Sequence, residues 1–260
     1  MASALISGLL QQGYAEEQLR VVEINAESRE KIKHTLGVSA VAELADGVKG
    51  SDVILLAVKP QQLFELTQKL APLLNSQLIL SIAAGIRATD IIRWLGGYAR
   101  VVRAMPNTPS LVRSGVAGLY AAPGVGELDK KNAESILAAV GTTLWVDDEE
   151  MLHTVTAISG SGPAYVFYFI ESMQQAGIEL GLTPVQARQL SLQTFAGASK
   201  LASLSDEDVA VLRARVTSKG GTTEQAIQTM EENAIQCKII AAVHAANRRS
   251  RELSDEFSRI

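Results

Sequence analysis

The chain has 260 residues, 47% apolar and 20% charged, with a formal net charge of −4. That composition buries a real core and excludes a disordered chain, and a mildly acidic balance without a basic patch argues against nucleic acid and anionic membrane as partners. One cysteine, Cys237, and three scattered histidines, His34, His153 and His244, exclude a disulfide framework and offer no metal-ligand spacing.

Ala2 to Gln12 sets small and apolar residues at helical spacing and ends near Gly13. It lacks a basic n-region, so it reads as a helix and not a signal peptide. Leu19 to Ile24 reads as a strand, and Glu27 to Leu36 as a charged helix closed by Gly37. Asp52 to Val58 (DVILLAV) is nearly unbroken apolar, the mark of a strand covered on both faces. A helix over Gln61 to Leu74, a strand over Leu78 to Ile82, a helix over Ala88 to Leu95 and a strand over Arg100 to Ala104 follow. Gly115 to Ala121 and Thr143 to Val146 supply later strands, with a helix over Asp129 to Val140 between them. The alternation predicts βαβ units and a doubly wound α/β sheet with right-handed crossovers.

After Asp148 the pattern is almost wholly helical: Pro163 to Leu180, Pro184 to Ala202, Glu207 to Arg215, Thr223 to Glu232 and Ala234 to Leu253. These segments are too apolar for lone surface helices, so some must pack on each other or on a second subunit. The expected division is residues 1–148 and 149–260. No run reaches the ~18 apolar residues of a membrane span. The lone thiol fits a reducing cytosol, and Cys237, in an Ala- and Ile-rich stretch, is expected in buried packing.

Doubly wound sheets bind ligands at the carboxyl ends of their strands. The usual G-x-G-x-x-G after a first strand is absent; the chain opens at Met1-Ala2-Ser3 directly on the first helix, so the sheet is expected to lack its first strand. Glu23 ends the strand at Leu19 to Ile24, where an acid bonds a ribose 2′-OH and repels a 2′-phosphate. Three further strand ends carry unusual turns: Ala57-Val58-Lys59-Pro60, Ser81-Ile82-Ala83-Ala84-Gly85 and Met105-Pro106-Asn107-Thr108-Pro109. Small residues there let backbone approach a ligand closely. In the helical half, Ser159 to Tyr165 (SGSGPAY) leads into the longest helix, and Thr217-Ser218-Lys219-Gly220-Gly221-Thr222-Thr223 leads into another. The second loop offers glycine amides, hydroxyls and a helix N-terminus, more than capping requires, and suits a carboxylate.

AVKP, SIAAG, MPNTP, SGSGPAY and TSKGGTT, in this order, resemble pyrroline-5-carboxylate reductases over the whole chain. The resemblance implies a Rossmann-type dinucleotide-binding domain and an all-helical C-terminal domain that interleaves with a partner's in a homodimer, which often assembles further. It implies NADPH or NADH as cofactor, a cytoplasmic enzyme, and reduction of 1-pyrroline-5-carboxylate to L-proline. Met1 and Ala2 match the end of the family's first turn. Ala57, Val58, Lys59 and Pro60, then Ile82, Ala83 and Ala84, match residues that line the cofactor, and Met105 and Asn107 match positions near the nicotinamide. Ser218, Gly220, Gly221 and Thr222 match the substrate-carboxylate loop, which in the family comes from the partner subunit. Thr223 matches the threonine that bonds the ring nitrogen. Lys219 departs from the family, standing where proline is common, and Glu23 tilts the choice toward NADH. Two other readings compete. One is another imine or 3-hydroxyacid reductase on the same plan, although Tyr165 to Ile178 offers only Glu171 as a proton donor. The other is a truncated, non-catalytic relic.

Overall fold

The computed structural model describes residues 1–259 and divides the chain into two compact units, one of residues 1–161 with the chain from 246 onward, the other of residues 162–245. The first is α/β. Helix α1 (Ala2–Gln11) buries Ala4, Leu5, Gly8 and Leu9 along one face. Strand β1 (Arg20–Val22) is shorter than its apolar run and leads to α2 (Ala26–Leu36). Asn25 caps α2 by accepting the Ser28 N–H at 2.9 Å, and Gly37 ends it. Strand β2 (Ser39–Val41) and the short α3 (Leu44–Val48), which periodicity does not reveal, come next. Then follow β3 (Val53–Leu56), α4 (Pro60–Leu70) with its proline in the first turn, β4 (Leu78–Ser81), α5 (Ala88–Trp94) and β5 (Val101–Met105). Strand β6 (Gly115–Ala121), α6 (Glu127–Ala138), β7 (Gly141–Trp145) and α7 (Met151–Val155) complete the layers. A single π-helical turn, Thr156–Gly160, closes this part of the unit.

The strands form two sheets, β1-β2 and β3-β4-β5-β6-β7. All pairings are parallel except β5 with β6. That reversal corrects the uniform βαβ reading: only one 3-10 turn, Thr108–Val112, separates the two strands, too little chain for a parallel crossover. Among the described residues nothing pairs with the second edge of β1 or of β3, so the break in the doubly wound plan falls between them. Burial reflects it. Strand β4 is buried throughout, whereas Val53, Ile54 and Leu55 of β3 are only half-buried and Val22 of β1 is exposed.

The five-stranded sheet is covered on both faces. Ile79 and Val101 pack with Leu63, Leu70, Ile86 and Ile91 on one side. Leu78, Leu80, Val102 and Leu119 pack with Leu5, Leu9 and Leu137 on the other. Each such side chain contributes about 1.5–3 kcal/mol by leaving water.

The second unit is helical: α8 (Gly162–Glu179), α9 (Pro184–Ser203), α10 (Val209–Arg215), α11 (Thr222–Glu232) and the start of α12 (Ile235–Phe257), which runs on into the first unit. A capping box between Thr183 and Gln186 starts α9. Apolar residues stay exposed, among them Phe167, Tyr168, Val185, Leu190, Leu201 and Ile240. Cys237 is exposed too, against the expectation of buried packing, because this stretch of α12 turns apolar surface outward. Among the described residues no helix is long and apolar enough to cross a membrane, and no group of His, Cys, Asp and Glu could hold a metal ion.

Candidate active site

The register sets Leu56 beside Ser81 and Ser81 beside Arg103. Ala57, Ile82 and Ala104 are therefore neighbours toward the carboxyl ends of β3, β4 and β5, and the turns singled out in the sequence lie side by side there. Ala57 and Ala84 are exposed, Val58, Pro60, Ile82 and Met105 half-buried, and Ala83 buried. Lys59 is the exposed N-cap residue of α4. Met1 is the exposed N-cap residue of α1, and Ala2 opens that helix. Just beyond β1, Glu23 accepts the Asn25 N–H at 2.9 Å. Arg29 closes this turn by donating to the carbonyls of Glu23 at 2.8 Å and Ile24 at 2.9 Å. Small residues at adjacent strand ends leave backbone open to approach, and the acid after β1 is an acceptor of the kind a dinucleotide ribose hydroxyl would meet.

Asn107 is buried. Its side-chain carbonyl accepts the Val116 N–H at 2.9 Å and its amide donates to the Ser159 carbonyl at 3.1 Å. Both ends of the side chain thus tie the turn after β5 to β6 and to the π-helical turn. In that turn Ser161 N–H reaches back to the Thr156 carbonyl at 2.8 Å. π-Turns recur at functional sites. A Cβ on Gly160 would stand 2.7 Å from Met105 Cε, so MPNTP and the start of SGSGP meet closely.

Sequence reasoning missed the charges behind these turns. Arg103, on β5, is buried and pairs with Glu149 at 2.5 Å. The same Glu149 oxygen accepts the Ala88 N–H at 2.6 Å and so caps α5, whose own N-cap residue provides no side-chain bond. Burial pushes the Arg103 guanidinium down from its ordinary value, and Glu149 pushes it partly back. His153 is buried with Nδ1 2.8 Å from Ser250 Oγ, and burial holds its pKa below the usual histidine range. The available signal was a charge inside an apolar strand, RVVRA; its partner lies 46 residues on.

In the helical unit Gly220 is left-handed (φ 72°), as the tight turn into α11 requires. Its N–H, expected to be open to a ligand, instead donates to Glu224 Oε2 at 2.6 Å. The Gly221 N–H donates to the Ser218 carbonyl at 3.0 Å. Gly221 is the N-cap residue of α11 without a side-chain cap, so Thr222 and Thr223 stand in the first turn, where amides lack intrahelical partners. Thr223 is half-buried; Ser218 and Thr222 are exposed.

Comparison with known proteins bears on the fold and the family. The family model described as pyrroline-5-carboxylate reductase dimerisation matches residues 149–253. That described as NADP oxidoreductase, coenzyme F420-dependent, matches residues 1–85. The pyrroline-5-carboxylate reductase of Pseudomonas aeruginosa is 45% identical over 99% of this chain and 94% of its own. The solved structure of a pyrroline-5-carboxylate reductase from Coxiella burnetii superposes with a TM-score of 0.93 at 40% identity, covering 97% of this chain and 94% of that one. The Plasmodium falciparum pyrroline carboxylate reductase, solved with NADP bound, reaches a TM-score of 0.86 at 29% identity over 97% and 94% of the two chains. Sheet, strand-end turns and dimerisation part together define an NAD(P)H-dependent oxidoreductase that forms a homo-oligomer. The chain belongs to the pyrroline-5-carboxylate reductase family.

Proposed function

We propose that this chain reduces 1-pyrroline-5-carboxylate to L-proline in the cytoplasm, as the last step of proline biosynthesis. The observation that carries the reading is the loop at 217–223, with hydroxyls, two glycines and an uncapped helix start together. That is a receptor for a small carboxylate.

The nicotinamide, when bound, supplies the hydride for the C=N carbon. The chain's own residues hold the two reactants. Met1, Ala2, Glu23, Ala57, Val58, Lys59, Pro60, Ile82, Ala83, Ala84 and Met105 line the dinucleotide, and Asn107 keeps the turn after Met105 in place. Ser218, Gly220, Gly221 and Thr222 hold the substrate carboxylate, and Glu224 competes with it for the Gly220 N–H. Thr223 bonds the ring nitrogen and orients it; a hydroxyl is too weak an acid to protonate an imine, so the proton comes from water or the imine binds already protonated. Positioning of this kind contributes about 7–11 kcal/mol. The functional division falls at residues 1–148 and 149–260. The helical parts of two subunits interleave, one subunit's loop serving its partner's cofactor, and dimers assemble further.

Thr223→Ala should lower kcat more than about ten-fold, while the Kd of NADPH or NADH stays nearly unchanged. Unaltered turnover in that variant would remove Thr223 from catalysis.

A further inference from the structure

The loop at 82–87 joins β4 to α5 and holds three of the residues assigned to the cofactor. The last turn of α12 and the turn just after it strap this loop from more than 160 residues away in sequence. Gly85 is left-handed (φ 77°), and a Cβ there would stand 3.3 Å from the Phe257 ring and 3.6 Å from Leu253 Cβ. Arg87 donates to Asp255 Oδ1 at 2.6 Å and to Ser258 Oγ at 3.0 Å. The Ser258 hydroxyl in turn donates to Asp90 Oδ2 at 2.5 Å. Asp90 is buried, and its other oxygen takes Arg93 at 3.0 Å. Arg93 also reaches the Ser258 carbonyl at 3.2 Å.

A glycine-hinged loop of small side chains has little of its own to fix its backbone. Ile82, Ala83 and Ala84 have few polar groups with which to hold a dinucleotide, so what they offer is backbone shape. An error of about 1 Å in such a shape costs up to 10²-fold in rate. The strap acts at that weak point: the ring covers the hinge residue, and the ion pair fixes the residue two places on.

We infer that the last turn of α12 and the turn just after it position the cofactor loop, with Phe257 and Ser258 as positioning residues for the nicotinamide dinucleotide. The inference rests on the assignment of Ile82, Ala83 and Ala84 to the cofactor. Phe257 and Ser258 touch no reactant; they act through Gly85, Arg87 and Asp90.

The test uses the full chain with Phe257→Ala, Phe257→Leu, Ser258→Ala and, as a control, Arg249→Ala. Among the described residues Arg249 pairs along α12, with Glu252 and Glu256, so the control weakens the helix end without touching the loop. The readouts are the Kd of NADPH and NADH by fluorescence titration, KM for each reactant, kcat and the thermal midpoint. Phe257→Ala should raise the Kd and KM of the cofactor at least about five-fold while the imine KM stays within about two-fold. Phe257→Leu should recover most of that loss, Ser258→Ala should move the same way, and Arg249→Ala should leave cofactor Kd unchanged. If Phe257→Ala does not fold, Ser258→Ala carries the comparison. Cofactor Kd within about two-fold of wild type in folded Phe257→Ala or, where that variant does not fold, in Ser258→Ala, or an equal rise in the control, overturns the inference. A wild-type chain that binds neither cofactor overturns the cofactor assignment itself, and this inference with it.

Discussion

Removing Glu149 should cost this protein a large share of its stability. One carboxylate oxygen receives both the Arg103 guanidinium at 2.5 Å and the Ala88 N–H at 2.6 Å. The two side chains are only 7% and 16% exposed. Glu149→Ala leaves a buried positive charge without its partner, worth about 3–5 kcal/mol. It also uncaps α5, worth about 1 kcal/mol. The two losses share an atom, so the total should fall near 4–5 kcal/mol, against about 5–15 kcal/mol for a whole domain. Glu149→Gln keeps an acceptor for Ala88 and should cost about half as much. Because burial outweighs Glu149 in its effect on Arg103, replacing both partners by Arg103→Met with Glu149→Leu should be milder than Glu149→Ala alone. Denaturant unfolding followed by tryptophan fluorescence suits the assay, since Trp94 and Trp145 both lie in the α/β unit. A Glu149→Ala loss under about 1 kcal/mol, or a double variant worse than the single, would refute the buried-pair argument.

Gly141→Ala should destabilise by more than about 3 kcal/mol in the same assay, because its Cβ would meet the Gly115 carbonyl oxygen at 2.0 Å between two paired strands; near-wild-type stability would mean the β6–β7 register is wrong. Gly160→Ala crowds the flexible end of Met105 and meets Thr156 only at ordinary contact distance, so it should unfold normally yet lower kcat several-fold by displacing Met105; unchanged kcat would separate Met105 from the nicotinamide. His153 has a depressed folded-state pKa, so the unfolded chain binds its proton more readily. Its contribution to stability is complete above the unfolded value of about 6.5 and is lost as pH falls below that toward the folded value. His153→Gln should flatten this part of the stability–pH curve, and an unchanged slope would exonerate His153.

Much of the α/β unit is legible because short-range signals carry it. The apolar runs around Val53 and Leu78 are strands, Pro60 opens a helix, Gly37 ends one, and the strand-end turns at 57–60, 82–85 and 105–109 fall side by side. The three residues of β2 span too little chain for periodicity to register. The antiparallel sense of β6 follows from the length of one connection and not from its composition. The Glu149 cap on Ala88, the Asn107 bond to Ser159 and the Arg87 bond to Ser258 join residues 52 to 171 places apart, and no local pattern announces them. At the substrate loop, the sequence predicts an open Gly220 amide; in the folded chain Glu224, four residues on, takes it.

The most direct measurement is to incubate the chain with 1-pyrroline-5-carboxylate and NADPH or NADH, following cofactor oxidation by absorbance and proline by amino-acid analysis. The account predicts one proline for each cofactor oxidised, with no comparable turnover of 3-hydroxyacids. Cofactor binding without proline, or faster turnover of a 3-hydroxyacid, would contradict it.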